Sequence, residues 1–307
     1  MDKALKKGHI CALFTIFVWS TTGISTKVLL GSFTPIEIFF YRIIIAYILM
    51  LLIKPSFIKY KSIKEELIFM GAGISGITAF FLFNNFALAN TMASNVGVLV
   101  SVTPFITAVL SFIFLRDEEL QPKFFGGFAI SMVGVVLIAY NGSCVLKLNP
   151  IGDVLAMFSA ISWAVYSVLM KKISTYNYNI ILCTRKIFFY GLIFLIPVLI
   201  GTNFRFDFKG FAAVINLGNM LYLGIGASAI CYMTWNFAVA SIGAIKTSIY
   251  MYLQPIITII LSAAILSERI TFFSVLGLAF ILGGIYFSEG NIKFQLGKLA
   301  KMQGSSE

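Results

Sequence analysis

The chain has 307 residues, of which 59% are hydrophobic and 11% charged. A soluble domain carries about 25% charged residues, so this composition excludes a water-soluble globular fold and makes lipid the solvent. The 23 Lys and Arg outnumber the 12 Asp and Glu and give +11, but the basic residues sit in short loops between apolar runs. That pattern lacks the basic stripe of a nucleic-acid binder and reads as a topology signal.

A helix crosses the hydrocarbon with about 20 apolar residues. Ten segments qualify, at 10–30, 36–53, 67–89, 94–115, 124–140, 151–170, 180–200, 213–239, 244–266 and 273–288. The runs are long and continuous rather than alternating segments of about 10 residues, which argues against strands. The predicted fold is an all-α integral membrane protein. Span 1 follows Lys3, Lys6 and Lys7 as the core of a signal peptide would, yet its run to Leu30 is long enough to span. No convincing small-residue cleavage site follows, so it is expected to be retained.

Span 2 opens at Pro35-Ile36-Glu37 and carries Arg42; span 3 carries Phe81, Asn84 and Asn85; span 4 carries Pro104; span 5 carries Gly126, Gly127 and Gly134. Span 6 holds Trp163 and Tyr166; span 7 holds Arg185; span 8 holds Tyr232, Trp235 and Asn236; span 9 holds Tyr250, Gln254 and Pro255; span 10 holds Gly277, Gly283 and Gly284. Loops on one side contain 14 Lys and Arg and loops on the other contain 4. The positive-inside rule then places both termini in the cytoplasm of a multi-pass cell-membrane protein. Cys11, Cys144, Cys183 and Cys231 are scattered and His9 is the only histidine. Disulfide and metal sites are therefore not expected, nor is any cofactor.

The sequence repeats itself. From Gly73 to Leu115 a shift of 151 residues gives 13 identities in 43 positions, among them Asn85/Asn236, Phe86/Phe237, Ala87/Ala238 and Pro104/Pro255. Shifts of 144, 143 and 150 then match Trp19 with Trp163, Arg42 with Arg185, and Gly127 and Gly134 with Gly277 and Gly284. Five spans per copy turn the second copy upside down, the construction of many secondary transporters. The expected division is 1–142 and 143–290 for the two repeats, with 291–307 a basic tail on the anionic inner leaflet.

Trp19 with Lys27, Pro35-Ile36-Glu37 with Arg42, Phe86-Ala87-Leu88, Pro104, and Leu115 with Asp117 and Glu118 form one ordered set. Trp163 with Lys171, Arg185, Tyr232 to Ala238, Gly243 to Lys246, Gln254-Pro255, Leu266 to Arg269, and Gly277 to Gly284 form another. In order and spacing they resemble the EamA branch of the drug/metabolite transporter superfamily, over nearly the whole chain. The resemblance implies two inverted five-helix repeats around a central cavity, alternating access, and amphipathic metabolites as substrates, with amino-acid export common and import also found.

No GxxxxGK[ST] phosphate loop is present, so gradients or facilitated movement must drive transport. A lipid-acting enzyme would need clustered acids, histidines or cysteines, so no enzyme is expected. All 12 carboxylates fall in loops, tails or helix ends. Glu37 is the one candidate proton carrier, against the plainer reading of a helix-capping acid. Arg42 and Arg185 either pair with carbonyls or Glu37, or bind a substrate carboxylate; Lys27 and Lys246 read as snorkelling ends.

The candidate substrate pocket gathers Trp19, Asn84, Asn85, Trp163, Tyr166, Tyr232, Trp235, Asn236, Tyr250 and Gln254. Tryptophan and asparagine at midplane depth need a partner, water or a ligand. For the Asn pair, interhelical bonding and substrate binding stay equally open. Pro104 and Pro255 kink spans 4 and 9 as paired hinges. The glycines of spans 5 and 10 form a packing or dimer surface, leaving monomer and homodimer open. Asn141-Gly142-Ser143 is a glycosylation sequon, discounted because the composition looks bacterial. The leading reading is an exporter of amino acids or related metabolites; the rival is an importer of a choline-like cation through an aromatic cage.

Overall fold

The structure is a computed structural model. It describes residues 3–90, 93–115, 122–140, 149–202, 204, 208–257, 260 and 271–289. The sequon, Cys144, Asp117, Glu118, Glu268, Arg269, the side chain of Lys27 and the basic tail lie outside the described residues.

The described chain is helical. In order, α1 is Lys3–Leu29, α2 Pro35–Ile53, α3 Ile63–Gly73, α4 Phe80–Asn90, α5 Ala93–Val100, α6 Thr103–Leu115 and α7 Pro122–Tyr140. The second half follows with α8 Pro150–Ser174, α9 Ile180–Gly201, α10 Val214–Leu221, α11 Cys231–Ile242, α12 Ala244–Ile249 and α13 Phe272–Glu289. Among the described residues five stretches are long and apolar enough to cross a membrane: Pro35–Ile53, Ile63–Ala87, Pro150–Ser174, Ile180–Gly201 and Val214–Ile242. With the shorter apolar helices and α1 they make up a ten-helix membrane protein of two inverted repeats.

Local sequence explains the starts. Thr34 caps α2 through a full capping box with Glu37, and Pro35 fills the first turn, where its missing N–H costs nothing. Ser62, Asn149 and Asn179 cap α3, α8 and α9, each side chain accepting one backbone N–H of the first turn. Lys171 and Lys172 end α8, where cations suit the helix dipole.

Two features were not legible in the apolar pattern. Spans 3 and 8 are each interrupted by a π-helical segment, Ile74–Ala79 and Tyr222–Ile230. These fall at matching places in the two copies, and such wide turns often mark functional sites. Spans 4 and 9 are also broken: a turn at 101–102 separates α5 from α6, and a 3₁₀ turn at Tyr250–Tyr252 follows α12. Pro104 and Pro255 therefore sit just after breaks, each in the first turn of the resumed helix, where proline is tolerated, rather than kinking a continuous one. Gly243 joins α11 to α12 with φ 89°, a conformation open to glycine and strained for other residues.

The pseudo-two-fold is visible in packing. An added Cβ on Gly134 would lie 2.5 Å from the Gly277 carbonyl oxygen, and one on Gly277 would lie 2.6 Å from that of Gly134. Gly127 and Gly284 repeat the arrangement, each 2.5 Å from the other's carbonyl oxygen. These four glycines bring α7 and α13 backbone to backbone within one chain, so that face is taken up by intrachain packing rather than left for a second copy.

Candidate functional site

Five aromatic side chains from both repeats meet where α1, α8 and α11 cross. Trp19 lies 5.2 Å from Trp163, 5.8 Å from Tyr232 and 5.2 Å from Trp235, centroid to centroid. Trp163 lies 5.1 Å from Tyr166, 5.6 Å from Tyr232 and 6.1 Å from Trp235. Trp163, Tyr166, Tyr232 and Trp235 are all at most 2% exposed. The rings fill the space between the repeats and close four of the five to solvent, with Trp19 half-buried at the edge.

The hydrogen bonds of this layer use the π segments. A π turn shifts the i→i−4 ladder and frees carbonyls to accept from side chains. Trp19 Nε1 donates to the Ala227 carbonyl at 2.9 Å, and the Tyr232 hydroxyl donates to the Gly76 carbonyl at 3.0 Å. Gly76 and Ala227 are equivalent at the 151-residue shift, so each wide turn is capped by an aromatic donor from the opposite repeat. By symmetry Trp163, the partner of Trp19, belongs on Gly76. The Tyr232 hydroxyl holds that acceptor, whereas Phe81, its counterpart, has no hydroxyl to compete for Ala227. Trp163 Nε1 is left without a partner among the described residues, as are Trp235 Nε1 and Asn84 Oδ1. Each such buried orphan costs roughly 1–3 kcal/mol.

The other predicted residues separate. Asn236 is fully buried; it accepts from the Tyr166 hydroxyl at 2.5 Å and donates to Thr184 Oγ1 at 2.9 Å. Its two bonds fasten α11 to α8 and α9 and join Asn236 to the edge of the aromatic layer through Tyr166. Asn84 and Asn85 are half-buried on α4. Tyr250 bonds His9 Nδ1 at 2.6 Å, near the start of α1. That is ten residues, about 15 Å along the helix, from Trp19, so its hydroxyl is not part of the aromatic layer. Gln254 meets α1 through its backbone carbonyl, 3.5 Å from Ser20 Oγ.

The charged candidates differ more than their symmetry suggests. Glu37 accepts from Thr34 N at 2.6 Å and Thr34 Oγ1 at 2.9 Å; it caps α2 and is not paired with Arg42. Arg185 is buried and donates to the carbonyls of Lys54, at 2.5 Å, and Ser56, with its guanidinium 4.5 Å from the Phe57 ring. Arg42, 8% exposed, donates Nε to Ser228 Oγ at 2.9 Å and lies 4.7 Å from the Phe81 ring centroid.

A model of the EamA-like transporter family matches residues 6–140 and again 150–289. The chain belongs to the EamA-like transporter family. It is 29% identical over 297 residues to an uncharacterized transporter of Archaeoglobus fulgidus, covering 92% of this chain and 97% of that one. An uncharacterized transporter of Clostridium kluyveri is 29% identical over 292 residues, covering 91% and 92%. The uncharacterized transporter YyaM of Bacillus subtilis is 27% identical over 293 residues, with the same coverage. A solved crystal structure shares the fold at 18% identity, with TM-score 0.74 over 92% of this chain and 97% of that one. The chain is thus a multi-pass membrane protein with a transporter's architecture.

In this EamA transporter the end bearing the lysine-rich loops is tied by contacts that sequence reasoning missed. Lys186 on α9 pairs with Glu66 on α3 at 2.6 Å, and the Tyr190 hydroxyl bonds the same carboxylate. The Tyr178 hydroxyl donates to Glu65 at 2.9 Å while Lys61 Nζ sits 4.6 Å from the Tyr178 ring. Tyr178, and then Glu65, hold the Lys61 ammonium above its ordinary pKa. These partners lie more than 110 residues apart and leave no local pattern to read. At the opposite end a cleft of about 460 Å³ opens between Ser32, Phe33, Thr34, Glu37 and Gly210, away from the aromatic layer.

Proposed function

We propose that this chain is a secondary transporter of small amphipathic metabolites, exporting amino acids or related compounds by alternating access. The two repeats, at 1–142 and 143–290, rock about the aromatic layer of Trp19, Trp163, Tyr166, Tyr232 and Trp235, with the breaks ahead of Pro104 and Pro255 as hinges. Both termini face the cytoplasm of the cell membrane, in keeping with the lysine-rich loops. The observation that carries the reading is two buried indole N–H groups, on Trp163 and Trp235, without a partner among the described residues at the interface between repeats. In a closed layer they cost stability; in an open one they are donors ready for a polar substrate.

The rival, import of a quaternary ammonium ion through an aromatic cage, is opposed by Arg42. A second cation buried beside that guanidinium meets no carboxylate among the described residues of the layer.

The test is flux from proteoliposomes loaded with individual amino acids, with and without a pH gradient. Wild-type protein is expected to release at least one of them. Trp163→Ala and Tyr232→Ala are expected to abolish release with unchanged size-exclusion profiles. Wild-type rates in both variants refute the pocket, and competition by choline favours the rival.

A further inference from the structure

We infer that Arg42 is the docking point for an anionic group, and that the substrate of this transporter carries a carboxylate beside an aromatic or apolar body. This rests on the aromatic layer being the substrate site.

The duplication supplies an internal control. Arg185 shows what a structural arginine looks like at this place in the repeat. Both of its terminal nitrogens are taken by the backbone carbonyls of Lys54 and Ser56, just after α2. Arg42 has no such clasp: among the described residues its only hydrogen-bond partner is Ser228, through Nε. Ser228 itself breaks the symmetry, since its counterpart at the 151-residue shift is the fully buried Ile77. The second copy has thus placed a hydroxyl where the first has a hydrocarbon, and that hydroxyl fixes the guanidinium by its inner nitrogen. The two outer nitrogens make no hydrogen bond to a described residue. Arg42 forms no ion pair with a carboxylate among the described residues, so it carries a charge that none of them compensates, at 8% exposure and about 10 Å along α2 from Pro35. Such a charge is costly within a membrane.

The surroundings are of one kind. Arg42 stacks on Phe81; Phe81 lies 5.3 Å from Phe80, and Phe80 lies 4.8 Å from Trp163. At the far end of that short ring chain is the orphaned Trp163 N–H. The site therefore offers N–H donors and aromatic faces. A carboxylate supplies the missing charge and two acceptors in the fork geometry of a guanidinium, while an aromatic or apolar body fits the rings.

The test uses isosteric pairs: phenylacetate with phenylacetamide, and L-phenylalanine with L-phenylalaninamide. Saturable quenching of tryptophan fluorescence in purified full-length protein reads the binding. Wild type is expected to prefer the carboxylate of each pair. Arg42→Gln is expected to weaken the carboxylates about 10- to 100-fold, as for a lost hydrogen bond to a charged group, and to leave the amides unchanged. Ser228→Ala, a milder change, is expected to weaken the carboxylates several-fold, which keeps the test open should Arg42→Gln fold poorly. Arg185→Gln is expected to leave the carboxylate preference intact. Amides binding as tightly as carboxylates in wild type, or carboxylate affinity surviving Arg42→Gln or Ser228→Ala, overturns the assignment. Trp163→Ala separates the two levels. If it abolishes binding of all four probes while Arg42→Gln does not discriminate, the pocket stands and the anion site falls; if neither variant alters binding, both fall.

Discussion

Gly134→Ala tests the two-fold contact at the heart of the fold. The new Cβ would lie 2.5 Å from the Gly277 carbonyl oxygen, 2.7 Å from Ile281 Cγ1 and 2.8 Å from Ile281 N. Two of these neighbours are backbone atoms of α13, so no rotamer change relieves them. Comfortable contact needs about 3.5 Å, and α7 and α13 must separate by about 1 Å. Overpacking of this kind costs about 1–3 kcal/mol, a fall of roughly 5 °C in apparent melting temperature for a protein of this size. Gly283→Ala is the control: nothing lies within 4 Å of its Cβ, and alanine is the better helix former. The assay is size-exclusion chromatography of detergent-solubilised protein after graded heating, at one fixed heating schedule. Gly134→Ala is expected to melt well below wild type and Gly283→Ala with it or slightly above. Gly134→Ala melting with wild type refutes the close intrachain crossing. Loss of a dimer peak without loss of monomer stability places the glycine face between copies instead.

Three further outcomes follow from the same geometry. Arg185→Gln removes two charge-assisted bonds to the carbonyls of Lys54 and Ser56 and is expected to lower the melting temperature by roughly 5 °C or more, read by the same heating assay. Tyr232→Phe is expected to cost under about 1 kcal/mol, because the freed Gly76 carbonyl becomes available to the orphaned Trp163 N–H; a tryptophan emission shift reports the new bond. Asn236→Leu strands the Tyr166 hydroxyl and removes the donor to Thr184, which keeps its own bond to the Ile180 carbonyl. It is expected to lose about 1–2 kcal/mol of thermal stability, and a variant as stable as wild type contradicts the bonding drawn for it.

Much of this architecture is legible in sequence because lipid is an undemanding reader. About 20 apolar residues make a span, and the Gly73–Leu115 echo made the repeat countable. The Trp19/Trp163 match named two members of the layer before any geometry. The π segments were not legible: an extra residue in a helical turn is set by what packs against it, and Ile74–Ala79 has no distinctive composition. The Arg185 clasp was hidden because its acceptors are backbone carbonyls, which every residue owns. Glycines announced close approach in spans 5 and 10 but not its partner, and Tyr250 followed the i, i+4 pattern with Gln254 until a 3₁₀ turn and His9 redirected it.

Alternating access around the aromatic layer requires the two ends of the molecule to open in turn. Pulsed electron–electron distance measurements test it, with spin labels at Lys59 and Lys172 across the lysine-rich end and at Ser32 and Lys209 across the other, in a background lacking cysteine. On adding an amino acid that the flux assay identifies as transported, opposite changes are expected, one end widening as the other narrows. Distances that stay fixed at both ends, or that widen together, contradict it.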